Sequence, residues 1–262
     1  MAPRKLLCAL SAAVALAAVP APAQAIVTPG VMTYTEGAQC TANFLFTDGT
    51  STYVGQSAHC ATTSGATTTN GCEATSHPIG TPVEVRGASQ PGVLAYSSWL
   101  AMRAAGETDD ETCRYNDFAL VRLSPADAAA ADPTVPRFGG PTGVGTAETG
   151  EALASYQNSS LRLGIPLLSP KNGIAVLRSP GGWSTTVYTV TPGIPGDSGS
   201  GYLNASGQAI GTLSTLAVLP LPLSNGVGDL GRELAYARAH GIPGLQLVDG
   251  RRAFRPSLLG LT

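Results

Sequence analysis

Gly193-Ile194-Pro195-Gly196-Asp197-Ser198-Gly199-Ser200-Gly201 packs glycines and a proline around Ser198. Glycine weakens both helix and strand, and proline interrupts both, so the run reads as a tight turn. Such a turn holds backbone N–H groups and a hydroxyl in a fixed arrangement. A serine hydroxyl is a poor nucleophile until a base takes its proton. Ser198 therefore gains chemical meaning only if the chain also supplies a histidine, a carboxylate to orient it, and a scaffold. Without them the run is a glycine-rich hairpin.

The chain carries three histidines, His59, His77 and His240. His59 lies between Ala58 and Cys60 at the end of an expected strand, and a disulfide at Cys60 would pin the backbone beside it, as suits a base. His77 precedes a proline in a loop and reads as a surface residue. His240 falls near the C-terminus of an expected helix, where positive charge is favourable without any catalytic role. The orienting acid is expected at Asp117, in Tyr115-Asn116-Asp117-Phe118-Ala119-Leu120-Val121. A carboxylate directly before an apolar run is partly buried and needs partners, of which a histidine Nδ1–H is one. The rival order Ser198, Asp229, His240 would suit an α/β-hydrolase. The turn, however, lacks the last glycine of Gly-x-Ser-x-Gly, and alternating strands and helices are missing.

The scaffold is expected to be all-β. Arg4-Lys5, an apolar run from Leu6 to Val19 and the ending Pro20-Ala21-Pro22-Ala23-Gln24-Ala25 have the parts of a secretory signal peptide over residues 1–25. The apolar run is short for a bilayer span, so no stable membrane anchor is expected. The formal charge is −2 with no basic cluster, which disfavours nucleic acid or an anionic membrane surface as partner. Beyond the leader remain Cys40, Cys60, Cys72 and Cys113; an even number in an exported chain implies disulfides, with three pairings open. No Cys-x-x-Cys pair exists, and the acidic run Glu107–Glu111 lacks the ligand spacing of an EF-hand, so it reads as a solvated loop and no metal or other cofactor is expected.

Strands are expected over Cys40–Phe46, Ser51–Val54, Pro82–Arg86, Val93–Met102 and Phe118–Leu123, with a hairpin at Asp48-Gly49. A turn-rich start precedes them. A Pro- and Gly-rich stretch, Ser124–Thr149, reads as a linker with a short helix at Pro125–Ala131. It divides the chain into residues 26–135 and 136–262. Beyond it, strands are expected over Ala152–Gln157, Ile174–Arg178, Trp183–Val190, Gly201–Asn204 and Gln208–Thr215. Asp229 caps a helix through Leu230, Leu234 and Ala237 that stops at Gly241 and Pro243, and a last apolar run follows at Leu245–Val248.

In the order His59, Asp117, Ser198 the chain resembles the secreted serine proteases of the chymotrypsin/trypsin family, peptidase S1, in their bacterial, streptogrisin-like form. Ser57-Ala58-His59-Cys60, Asn116-Asp117-Phe118-Ala119-Leu120 and Gly196-Asp197-Ser198-Gly199 carry the resemblance. It implies two packed antiparallel β-barrels with a short C-terminal helix, and a Cys40–Cys60 disulfide behind the histidine, leaving Cys72 with Cys113. It implies a monomeric, extracellular endopeptidase acting on peptide or protein substrates through a His59-Asp117-Ser198 triad. The Gly196 and Ser198 N–H groups would form the oxyanion hole. Pro192 to Pro195 and Ser214-Thr215-Leu216 would wall the substrate pocket, with Pro192 at its base and no acid there, which favours a neutral or apolar residue before the scissile bond. Asp197 would pair either with a new N-terminus at Ile26 or with an internal arginine; Thr28-Pro29 after Ile26-Val27 favours the arginine. Ser200, Thr215 and Leu216 depart from the family's pattern, and they leave a second reading, a secreted protease-like binding protein without turnover.

Overall fold

The computed structural model describes residues 26–64, 70–217 and 223–256 of the 262-residue chain, apart from the side chain of Ala217. The signal peptide expected over residues 1–25 lies outside them.

Short, β-branched and aromatic segments pair into two antiparallel layers. The first is an eight-stranded sheet of β1 (Met32–Thr35), β2 (Ala38–Thr41), β3 (Leu45–Thr47), β4 (Thr52–Gln56), β5 (Pro82–Val85), β6 (Gly92–Ser97), β7 (Ala119–Arg122) and β14 (Gln246–Leu247), in the spatial order β14-β3-β4-β7-β6-β5-β1-β2. The second holds β8 (Ala152–Tyr156), β9 (Pro170–Arg178), β10 (Ser184–Thr189), β11 (Gly201–Leu203), β12 (Ala209–Ala217) and β13 (Ser224–Asp229), and it closes into a barrel. Four helices accompany them: α1 (Ser98–Ala105), α2 (Asp110–Tyr115), α3 (Pro125–Ala130) and α4 (Leu230–His240). Among the described residues no helix is long and apolar enough to cross a membrane.

Each layer has its own apolar filling. Val54, Val83, Leu94, Val121, Trp99 and Met102 pack inside the first, and Leu153, Val187, Tyr202, Ile210, Leu213 and Val227 inside the second. A third cluster joins them: Phe44, Phe46, Phe118 and Leu120 meet Ala154, Leu203 and Ala209 together with Leu230 and Leu234 of α4. Phe118, next to Asp117, belongs to this shared seam. Burying each such side chain contributes roughly 1.5–3 kcal/mol, so the seam fixes the two layers firmly against each other.

The all-β architecture with a short C-terminal helix agrees with expectation, and so do most strands. The Asp48-Gly49 hairpin forms because Asp48 Oδ1 accepts the N–H groups of Thr50 and Ser51, both at 2.8 Å. α4 starts where expected, with the Asp229 carboxylate accepting Arg232 N–H at 3.0 Å.

Several expectations need correction. The strand expected over Cys40–Phe46 is interrupted between β2 and β3. The strand expected over Val93–Met102 ends at Ser97; Trp99 and Met102 then bury one face of α1, which stops at Gly106 in the left-handed conformation. The acidic run is not a free loop. Asp109 caps α2 by accepting Thr112 N–H at 2.9 Å, and Glu111 accepts from Ser179 Oγ at 2.8 Å and Gly181 N–H at 2.7 Å on the other layer. Three strands were not expected as strands: β1, β13 and β14, the last lying within the apolar run Leu245–Val248.

The cysteines pair as Cys40–Cys60 and Cys72–Cys113. The first ties β2 to the single turn of 3₁₀ helix, Ala58–Ala61, that follows β4 and carries His59.

Candidate active site

His59 and Asp117 come together at one end of a pair of antiparallel strands. β4 runs into the turn holding His59, and Asp117 precedes β7, the neighbour of β4 through Gln56 opposite Ala119. His59 Nδ1 lies 2.6 Å from Asp117 Oδ2, and the His59 backbone N–H donates to Oδ1 at 2.8 Å. A carboxylate only accepts, so Nδ1 carries the proton and Nε2 is left with a free lone pair. Ser214 Oγ donates to the same Oδ2 at 2.5 Å. Ser214 reaches it because β12 is bulged there: Leu213 faces Val227 and Thr215 faces Gly226, leaving Ser214 unpaired and its side chain re-aimed.

Asp117 is buried, whereas the His59 side chain stays about one quarter exposed. Burial pushes the Asp117 carboxyl up, but the charge on His59 and the hydrogen bonds from His59 and Ser214 outweigh it and hold the carboxyl below its ordinary value. Burial opposes the imidazolium of His59; the adjacent Asp117 charge and hydrogen bond overcome it, so His59 is held above the usual histidine range. Trp99 flanks the imidazole, ring centroid to ring centroid 6.4 Å.

The Ser198 turn is locked to the same region by backbone contacts. Leu213 C=O accepts both Gly199 N–H at 2.7 Å and Ser57 Oγ at 2.9 Å, and Thr41 N–H donates to Ser198 C=O at 2.8 Å. Gly199 has φ +91°, and a Cβ there would stand 2.4 Å from Thr41 O, so the position requires glycine. Within the turn, Asp197 N–H donates to Ile194 O at 2.9 Å and Ser200 N–H to Asp197 O at 3.1 Å. Among the described residues the N–H groups of Gly196 and Ser198 have no protein acceptor. Two unspent donors beside a hydroxyl can receive an anionic oxygen.

Next to Ser198 opens a cavity of about 140 Å³ lined by Gly193, Ile194, Pro195, Leu213, Ser214, Thr215, Leu216 and Asn225. Of the residues expected to wall a substrate pocket, Pro195, Ser214, Thr215 and Leu216 line this cavity and Pro192 does not. Asn225 is the buried polar group there. Its Oδ1 accepts Gly193 N–H at 2.9 Å and its Nδ2 donates to Thr189 Oγ1 at 3.0 Å, so the amide is fully committed and the lining carries no charge.

Asp197 pairs with an internal arginine. Arg162 donates from Nη2 to Asp197 Oδ2 and from Nε to Oδ1 at 3.2 Å, and both side chains are buried. Ser159 N–H at 3.0 Å and Ile194 N–H at 2.9 Å complete the carboxylate's partners. Ile26 is 48% exposed, and the Asp197 carboxylate has its partners in Arg162 and in the N–H groups of Ser159 and Ile194.

Glu233 of α4 is fully buried where the layers meet. Thr212 Oγ1 donates to its Oε2 at 2.9 Å, while Oε1 has no partner among the described residues. Burial, joined by the negative charges of Asp117 and Asp229, raises its pKa well above the ordinary 4.5. A raised carboxyl contributes stability that is complete below that ordinary value and is lost as pH climbs toward the folded-state pKa. Glu233→Gln removes this loss. The urea-unfolding free energy of the variant relative to wild type is therefore expected to grow with pH from about 4.5 upward. A difference that stays constant across that range would show that Glu233 is not neutral in the fold.

Arg162, Asn225, Trp99 and Glu233 were not singled out in the sequence. Arg162 carried only the signal that some arginine was needed. Asn225 carried none, because its strand reads as a glycine-rich turn.

No protein-family model matches the chain, and no curated protein matches it. Solved structures do. Protease A of Thermobifida fusca is 21% identical with a TM-score of 0.54, over 86% of this chain and 100% of that one. A Glu endopeptidase, solved in complex with MPD, is 14% identical with a TM-score of 0.53, over 80% of this chain and 91% of that one. A glutamic acid specific serine protease, described as using a histidine triad in substrate binding, is 19% identical with a TM-score of 0.50, over 85% and 100%. The chain therefore has the chymotrypsin fold, and these structural neighbours are serine proteases.

Proposed function

We propose that this chain is a secreted serine endopeptidase that cleaves peptide bonds through an acyl-enzyme. The observation that carries this reading is the joint geometry of the site. His59 is held by Asp117 with Nε2 free, beside a turn that presents Ser198 and two unspent N–H donors.

In the proposed reaction Ser198 Oγ attacks the carbonyl carbon of the scissile peptide while His59 Nε2 takes the hydroxyl proton. The carbonyl oxygen becomes an oxyanion that accepts from the Gly196 and Ser198 N–H groups. Asp117 keeps the proton on Nδ1 and stabilises the imidazolium. The intermediate collapses as His59 returns the proton to the leaving amine, leaving an ester at Ser198. Water then attacks that ester with His59 again as base. The fold of the neighbours, two disulfides suited to an oxidising compartment and the leader read over residues 1–25 support an extracellular protease.

The uncharged, partly apolar cavity supports a neutral or apolar side chain before the scissile bond. Among the described residues no histidine, lysine or arginine lines it, unlike what a glutamate side chain would call for. A fluorophosphonate probe tests the reaction class. The disulfide-intact wild type is expected to label, and Ser198→Ala to remain unlabelled. Absence of labelling on folded wild type would overturn the hydrolase and leave a binding protein built on its fold.

A further inference from the structure

The free Gly196 N–H of the Ser198 turn is aimed by side chains gripping the loop from behind. The Pro195 carbonyl accepts from Ser159 Oγ at 2.5 Å. In a trans peptide C=O and N–H point in opposite directions, so this bond turns Gly196 N–H away from Ser159. The next carbonyl, that of Gly196, accepts from Gln39 Nε2 at 2.9 Å and from Thr41 Oγ1 at 2.8 Å. By the same geometry Asp197 N–H is directed to the Ile194 carbonyl and does not compete for the site. Gly196 itself, at φ +93°, is enclosed by the same groups: a Cβ would lie 2.2 Å from Gln39 Oε1 and 2.9 Å from Ser159 Oγ.

The gripping groups are themselves fixed. Gln39 Oε1 accepts Ser160 N–H at 3.0 Å, and Gln39 Nε2 also donates to Cys40 O at 2.8 Å. Thr41 Oγ1 accepts Asn158 N–H at 3.3 Å, and Ser159 N–H donates to Asp197. Two residues of β2 and the 158–160 segment therefore clasp consecutive peptide planes of the turn from both layers of the fold.

We infer that Ser159, with Gln39 and Thr41, forms a positioning device that holds the 195–196 peptide with its N–H toward the oxyanion. These are positioning residues and touch no substrate. The inference rests on the hydrolase reading above and assigns it a mechanism of pre-organisation. Its energetic signature follows from where the charge develops: the device acts on the transition state and leaves ground-state binding alone.

The test is steady-state hydrolysis of a peptide ester or anilide by wild type, Ser159→Ala, Ser159→Thr and Gln39→Met, with inhibition by a matched peptidyl trifluoromethyl ketone. Ser159→Ala is expected to lower kcat by about 10- to 100-fold with KM within about twofold, below the cost of deleting an oxyanion donor outright. Affinity for the ketone, which places an oxyanion in the site, should fall by the same factor. Ser159→Thr restores the hydroxyl and most of the rate. Gln39→Met removes a donor from a half-buried position and gives the same pattern at smaller size, so it carries the test if Ser159→Ala fails to fold. Variants matching wild type in kcat and ketone affinity would overturn the device, as would a loss appearing in KM alone. A wild type inert to both substrate and fluorophosphonate would instead overturn the hydrolase reading, and the device with it.

Discussion

Replacing Asp117 with asparagine is expected to lower kcat by about 10⁴-fold while KM changes little. The carboxylate receives three donors, the backbone N–H and Nδ1–H of His59 and the hydroxyl of Ser214. An asparagine of the same shape offers one acceptor oxygen and an amino group in place of the second. That amino group faces Nδ1 and stabilises the tautomer with its proton on Nε2. The free lone pair that Ser198 requires is then gone. The change also removes the negative charge that holds the His59 pKa up against burial, so burial prevails. The acid limb of any residual activity should move to lower pH. A kcat–pH profile of the variant measures both effects. Activity within tenfold of wild type would remove Asp117 from the orienting role.

The largest effect on stability is expected from Arg162→Met. Breaking a buried ion pair by deleting one partner costs about 3–5 kcal/mol, because the other charge is stranded. Asp197 would keep only the Ser159 and Ile194 N–H groups. Urea unfolding of the disulfide-intact protein should show the loss. The double variant Arg162→Met/Asp197→Asn should lose less, since no charge remains uncompensated. Lys171 supplies an independent readout. Burial, with the charge of Arg162, pushes its pKa down to about 8, against the pull of Asp197. Without Arg162 the lysine should titrate higher, measurable on the methylated amine by NMR. A single variant as stable as wild type, with Lys171 unmoved, would mean that Arg162 does not neutralise Asp197.

How far the sequence reveals this molecule depends on the range of the forces involved. The His59 and Ser198 turns are legible because each compresses its requirements into a few adjacent residues, a cysteine beside a histidine and glycines beside a serine. α4 is legible because a capping aspartate and a terminal glycine flank an apolar stripe. β13 is not. Ser224-Asn225-Gly226-Val227-Gly228-Asp229 has the composition of a turn, and only its two partners, β10 and β12, draw it into the barrel. Local propensity yields there to tertiary pairing. α1 was hidden for the opposite reason. Its apolar residues continue those of β6, and a short apolar run does not reveal its period. Asn225, missed with β13, lines the cavity beside Ser198, whereas Pro192 does not. That an arginine pairs with Asp197 was favoured by Thr28-Pro29, but which arginine was beyond local reading, because it depends on where the 158–162 segment crosses the turn.

The pairing of β14 with β3 also sets an order of events during synthesis. Gln246 and Leu247 supply the outer neighbour of a strand formed by Leu45–Thr47, nearly the whole described chain earlier. While the chain emerges from its N-terminus, β3 stays an open edge and α4 has not yet covered the aromatic seam. Such an edge is a template for pairing with other chains. A truncation removing β14 would leave that edge of β3 open permanently.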